Sequence, residues 1–438
     1  MAALDAIDID ALVRDAVFGE GAAADEARLA IRRAAAARGI LPASIHALYM
    51  AEGRGECGGF TTPAINLRAM TYDSARAAFR AARKLDAGAF VFEIARSEMG
   101  YTDQKPAEYA AVILAAAIKE GHQGPVFIQG DHFQLNAKKF AKDPAAERKT
   151  IEDLIDQAIP AGFFNIDIDS STLVDLSHPT VPEQQRVNFE EAAHFTRYIR
   201  VREPQGVTIS IGGEIGEVGK EVSSPEEFRG FMDGYLAALP MGMTGVSKIS
   251  INTGTSHGGV VLPDGTVKKV SIDFDGMQAI SDIARKEYGL SGVVQHGAST
   301  LPQELFDSFP RHGASEVHLA TEFQNMVYER LPQALRDEMY AWLRQNAADE
   351  RKADDTDEQF FYRSRKKAIG PFKRALWDMD EEARAEIGAA LEAKFDYLFR
   401  KLNVPGTRDV VAAHVKPVEV EAALAGAGAF HRDDEAGD

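Results

Sequence analysis

Three histidines, His132, His257 and His296, each follow a short apolar run and stand among glycines. They occur in Gly130-Asp131-His132, in Thr253-Gly254-Thr255-Ser256-His257-Gly258-Gly259 and in His296-Gly297-Ala298-Ser299. Neutral imidazole is a common zinc ligand, and three protein nitrogens leave a fourth position open to a substrate. A divalent cation held this way polarises a carbonyl and stabilises the charge that develops on its oxygen. A single histidine is more often a hydrogen-bonded core or surface residue than a ligand; the same placement on three separate runs singles these out. His46, His122, His178, His194, His312, His414 and His431 fall in helical patterns, loops or the tail, and His318 closes a further run without an assigned role. The stretches TGTSHGG and HGAST add a second capability, because successive backbone N–H groups in such loops cradle a phosphate.

These residues need a scaffold that brings the ends of distant runs together. From about residue 60 the sequence alternates short apolar runs with longer helical patterns. The runs are TPAINL (62–67), AFVFEIA (89–95), PVFIQ (125–129), FFNIDID (163–169), VTISIG (207–212), GVSKISI (245–251), GVVQ (292–295) and SEVHLA (315–320). Eight strands with intervening helices predict a (β/α)₈ TIM barrel, whose βα loops gather function at the carboxyl ends of the strands. A doubly wound open sheet is the alternative. Besides the histidines, those ends carry Asp167, Asp169, Ser170 and Ser171, and the stretch Gly212-Gly213-Glu214-Ile215-Gly216-Glu217. Residues 1–60 read as an N-terminal helical extension, 61–345 as the barrel, and 346–438 as a C-terminal helical extension with an acidic tail.

Composition narrows the function further. Acidic residues outnumber basic ones 67 to 49, giving a formal charge of −18, which disfavours nucleic acid and anionic membranes as partners. The single cysteine, Cys57, excludes an intramolecular disulfide and a cysteine-rich zinc module. The N-terminus lacks a basic flank followed by an apolar core, and no apolar run approaches the ~20 residues of a spanning helix. The expected setting is the cytoplasm.

With its motifs PAIN (63–66), GDH (130–132), DSS (169–171), Glu214-Ile215-Gly216, GTSHG (254–258) and HGAS (296–299), in that order, the chain resembles the class II, metal-dependent ketose-bisphosphate aldolases. The resemblance extends to YRSRKKAIGPFKRAL (362–376) and so covers roughly residues 60 to 400. It implies zinc, or another divalent metal, on His132, His257 and His296, with Glu214 and Asp169 at a second metal position. It makes Asp131 the acid that protonates the aldehyde oxygen; separately, the acidic, glycine-containing segment EIGEVGKEVSSPEEF suits a closing loop, and Glu217 or Glu221 is the candidate base on it. The resemblance places Asn66, Gly258, Gly297, Ser299, Thr321 and Arg365 against the substrate, a sugar phosphate, with Arg365 reaching it from a neighbouring subunit. Family members commonly form homodimers or homotetramers.

Two departures stand out. The family's eighth strand ends in Asn-x-Asp-Thr, whereas this chain has His318-Leu319-Ala320-Thr321. The family's serine after strand two has no clear counterpart in Glu93-Ile94-Ala95-Arg96-Ser97, where Arg96 is a candidate replacement cation. Three functions follow: a zinc-dependent aldolase with dihydroxyacetone phosphate as nucleophile, a C4-epimerase of a sugar or sugar phosphate using the same bond cleavage, and a non-catalytic aldolase-associated subunit.

Overall fold

The computed structural model describes residues 7–216, 222–255, 262, 272–299 and 301–421. Nine parallel strands form one sheet: β1 (Ile40–Ala43), β2 (Thr62–Asn66), β3 (Val91–Ala95), β4 (Gly124–Gln134), β5 (Asn165–Asp169), β6 (Ser210–Glu214), β7 (Lys248–Ile251), β8 (Val293–Gln295) and β9 (Ala314–Leu319). Their order is β1-β4-β3-β2-β9-β8-β7-β6-β5, and a further β4–β5 pairing closes β2 to β9 into an eight-stranded TIM barrel. All eight runs expected from the sequence are strands of that barrel. Helices fill the crossovers because parallel neighbours need a long return connection. The first crossover helix, Thr71–Leu85, buries Ala75, Ala78, Phe79 and Ala82, and the helix Glu381–Lys401 packs over it.

β1 lies in the stretch read from sequence as helical. It pairs with the lower half of β4 (Ile40 opposite Gly124, Ala43 opposite Phe127), while the upper half of β4 pairs with β5. Asn165, the first residue of β5, fills the fork. Its Nδ2 donates to Ala43 O at 3.1 Å and Ile128 O at 3.0 Å, and its Oδ1 accepts from Ile45 N at 2.8 Å. Four residues containing a proline carry little strand signal alone; the open edge of β4 supplies it.

Before β1 come α1 (Ile9–Phe18) and α2 (Ala22–Ala36), which pack on each other and on the helix Pro106–Lys119. Asp8 caps α1 by accepting from Asp10 N and Ala11 N. After β1, α3 (His46–Gly53) packs against the amino-terminal end of the barrel. Ile45, Leu48 and Tyr49 are fully buried there with Phe60, Val91, Phe127, Val411 and Val415, at about 1.5–3 kcal/mol per large side chain. Gly53 makes this seat possible, because a Cβ there would meet Gly289 O at 2.2 Å. Function is thereby left to the opposite, carboxyl end.

Candidate metal centre and active site

β4 departs from regular pairing at the residues that carry chemistry. Its register with β5 shifts between Gly130 and Phe133, and His132 adopts a positive φ of 39°. Such a bulge re-aims a side chain, and an off-region backbone on a non-glycine residue persists only where its surroundings enforce it. Phe133 does so: it is fully buried and lies so close that a Cβ on Gly130 would sit 2.4 Å from its ring.

The bulge brings His132 Nε2 to 3.0 Å from His296 Nδ1, across from β8. Two imidazole nitrogens on a tetrahedral zinc stand about 3.3 Å apart, so the pair is close to chelating distance. Each ring is held through its other nitrogen. His296 Nε2 lies 3.0 Å from Ser250 Oγ, and His132 Nδ1 lies 3.2 Å from Asp169 Oδ2 and 3.6 Å from Glu214 Oε2. Asp169 is itself fixed by Ser171, whose N–H and Oγ donate to Oδ1 at 2.9 and 2.7 Å. Such outer partners set the orientation of metal-ligating histidines.

The charge balance of this cluster calls for a cation. Burial pushes the Glu214 carboxyl well above its usual range, helped by the neighbouring Asp169 charge. Burial opposes charge on His132, yet Asp131, Asp169 and Glu214 together raise its pKa well above an ordinary imidazole. Burial likewise opposes ionisation of Asp169, but His132 and Ser171 hold its carboxyl below the usual range. A protein-only cluster thus gathers protons, and a divalent ion would replace them. Asp131, His132 and His296 present ligand atoms within 4.8 Å of one another, as do His132, Asp169 and Glu214. These residues fit a metal ion.

Beside the pair opens a cavity of about 520 Å³. Asn66, Asp131, His132, His296, Gly297, Ser299 and Thr321 line it, which gathers seven of the residues singled out in the sequence. Ser299 Oγ also accepts from Ala320 N at 2.7 Å, tying the loop after β8 to the end of β9. His257, Gly258, Glu217 and Glu221 lie outside the described residues.

Two arginines singled out in the sequence lie outside the lining of this chain's own cavity. Arg365 is buried, donates to Asn325 and stacks over Tyr328 and Tyr362, and it is not part of the lining. Its segment does reach the cavity, through Tyr362, Arg363 and Lys366 of the same chain. Arg96 donates to Gln134 O and Glu147, both at 3.0 Å, and supplies the cavity with no cation.

Other lining residues were not singled out from sequence. Arg68 lies two positions beyond Asn66 and pairs with the buried Glu98, which also accepts from Asn66 Nδ2 at 2.6 Å. Lys352, Asp355, Gln359 and Arg363 come from the polar stretch ADERKADDTDEQ and the helix Asp357–Ser364. That helix is started by a capping box: Thr356 N donates to Gln359 Oε1 at 3.1 Å, and Gln359 N to Thr356 Oγ1 at 3.3 Å. The motif Thr356-x-x-Gln359 was the available signal. Glu93 and His318 form part of the floor, and burial and then the Asp131 charge push the Glu93 carboxyl up to about 8.

The family described as fructose-bisphosphate aldolase class-II matches residues 54–378. This chain belongs to that family. A curated relative, the fructose-bisphosphate aldolase of Giardia intestinalis (strain ATCC 50803 / WB clone C6), is 25% identical over 234 residues. That alignment covers 51% of this chain and 56% of the relative, so the chain spans little more than half the length of the aldolase it matches. A protein from Sinorhizobium meliloti 1021 described as a probable tagatose 6 phosphate kinase superposes with a TM-score of 0.53 at 16% identity, over 82% of this chain and 94% of that one. The fructuronate-tagaturonate epimerase UxaE of Cohnella laeviribosi gives 0.52 at 13% identity, over 80% and 82%. At these identities the likeness to the two structures is one of fold. Among the described residues, no helix is long and apolar enough to cross a membrane.

Proposed function

We propose that this protein is a zinc-dependent aldolase that reversibly cleaves a phosphorylated ketose, with dihydroxyacetone phosphate as the nucleophilic half. The observation that carries the reading is the His132–His296 pair, held 3.0 Å apart at the wall of a cavity that Asp131 also lines. His132 and His296 would hold the ion with His257, and Glu214 and Asp169 would serve a second position. When bound, a divalent cation supplies Lewis acidity toward the substrate carbonyl.

The chain's own residues supply the rest. Asp131 takes the proton from the hydroxyl that becomes the aldehyde in cleavage and returns it to that oxygen in condensation, and Glu217 or Glu221 moves the proton on carbon. Gly258, Gly297 and Ser299 take one phosphate, while Lys352, Arg363 and Lys366 give the outer wall the positive charge that suits an anionic far end. A Schiff base on Lys248, which lies inside the barrel, is disfavoured. Its ammonium is committed to Gln129, Asp167 and Glu316, and it does not line the cavity.

The test is a retro-aldol screen across ketose mono- and bisphosphates at saturating zinc, with the wild type and Asp131→Ala. Cleavage by the wild type, and its loss in the variant with metal retained, supports the reading; a wild type inert across the panel overturns it. A second reading is favoured by His318, which stands on the cavity floor where the aldolases carry asparagine: cleavage and re-formation of the same bond, giving a C4 epimer. Epimer formation without trapped triose separates it from the first. Assembly as a homodimer or homotetramer is part of the proposal and is read by light scattering.

A further inference from the structure

The interior of this barrel is charged where such barrels usually stack branched apolar side chains. Lys248 on β7 is almost wholly buried, and its Nζ donates to Gln129 Oε1 at 2.8 Å, to Asp167 Oδ2 at 2.9 Å and to Glu316 Oε1. Glu316 on β9 is the hub. Its Oε1 also accepts from Gln129 Nε2 at 2.9 Å and lies 2.6 Å from His318 Nε2, and its Oε2 accepts from the hydroxyl of Tyr49. Tyr49 belongs to α3 and enters from the closed, amino-terminal end. At the other end, His318 Nδ1 lies 3.0 Å from Glu93 Oε2 and 3.2 Å from Asp131 Oδ1, where both carboxylates line the cavity.

A polar chain therefore runs from the plug helix to the candidate acid: Tyr49, Glu316 braced by Lys248, His318, Asp131. Burying this much charge is costly, and replacing such groups by apolar ones is often neutral or stabilising, so packing does not account for them. We propose that Tyr49, Lys248, Glu316 and His318 are positioning residues, which fix Asp131 against the substrate by clamping the His318 ring from beneath. Glu316, itself braced by Lys248, holds the ring's Nε2 edge, which leaves the Nδ1 edge between the carboxylates of Glu93 and Asp131. The role of Asp131 in catalysis rests on the aldolase reading; the clamp itself does not.

Tyr49→Phe tests the clamp from the end remote from substrate, and deletes a single hydroxyl within an apolar seat that tolerates phenylalanine. The expected result is an intact fold, unchanged zinc content and unchanged KM, with kcat lowered about tenfold, the scale of one lost hydrogen bond. His318→Gln lowers kcat about a hundredfold, the scale of a misplaced catalytic group. A substrate-free readout accompanies these: the ring N–H proton resonance of His318 in the zinc-loaded protein shifts in Tyr49→Phe. A wild type that cleaves no ketose phosphate removes the aldolase reading, and the resonance then decides the clamp alone. An unchanged kcat in active Tyr49→Phe, or an unmoved resonance, overturns the proposal.

Discussion

Lys248→Met removes the ammonium from between Asp167 and Glu316 while keeping most of the side-chain volume. Three acceptors then lose their shared donor in a site with almost no water access. Removing one partner of a buried ion pair costs about 3–5 kcal/mol, because an uncompensated charge stays behind. The cost depends on pH in a direction that follows from the charges left. Burial already pushes Asp167 up to about 6 even with Lys248 beside it, and loss of the cation raises it further. A carboxyl whose folded pKa exceeds its unfolded value of about 4 loses stability as pH rises from the unfolded toward the folded value. The variant's deficit is therefore larger at pH 8 than at pH 6. The assay is equilibrium urea unfolding at both pH values, with zinc held constant. Adding Asp167→Asn to Lys248→Met should restore part of the loss, since the second change removes the stranded charge. A Lys248→Met protein within about 1 kcal/mol of wild type at pH 8, or a second substitution that simply adds to the first loss, would refute the reasoning.

Two further predictions concern other parts of the fold. Gly130→Ala places a Cβ 2.4 Å from the Phe133 ring, so the bulge carrying His132 must shift; a loss of about 1–3 kcal/mol and about tenfold weaker zinc binding are expected from unfolding and chelator competition. His122 packs against Phe79 with ring centroids 4.8 Å apart, and burial lowers its pKa to about 4 from 6.5. Its contribution is complete above the unfolded value and is lost as pH falls from about 6.5 toward 4, on the order of 3 kcal/mol in all. His122→Leu should flatten the stability–pH curve over that interval; an unchanged slope there contradicts the assignment.

The barrel was legible because each strand is a short apolar run ending in polar residues, and the crossovers carry clear helical periodicity. His132 and His296 were legible for the same reason, since equal positions on neighbouring parallel strands converge at one mouth. What escaped depended on pairing and facing. Ile40–Ala43 becomes a strand only against the free edge of β4. Around Arg365 the segment was legible but not which of its residues face this chain's own cavity, because one step along a helical turn rotates the side chain by about 100–120°. Glu93, Lys248 and Glu316 read as breaks in apolar runs, and a charged residue in a strand is usually solvated. Only barrel closure turns all three inward, Lys248 onto Glu316 and Glu93 onto His318. The capping box at Thr356 was visible in sequence, but the contribution of its helix to the cavity was a matter of tertiary placement.

The most direct test of the account is the metal content of the purified protein, measured after zinc loading and desalting, for the wild type and for His132→Ala and His296→Ala. The account predicts tightly held zinc in the wild type and its loss in both variants, which remain folded. Folded variants that keep the wild-type zinc content would contradict it.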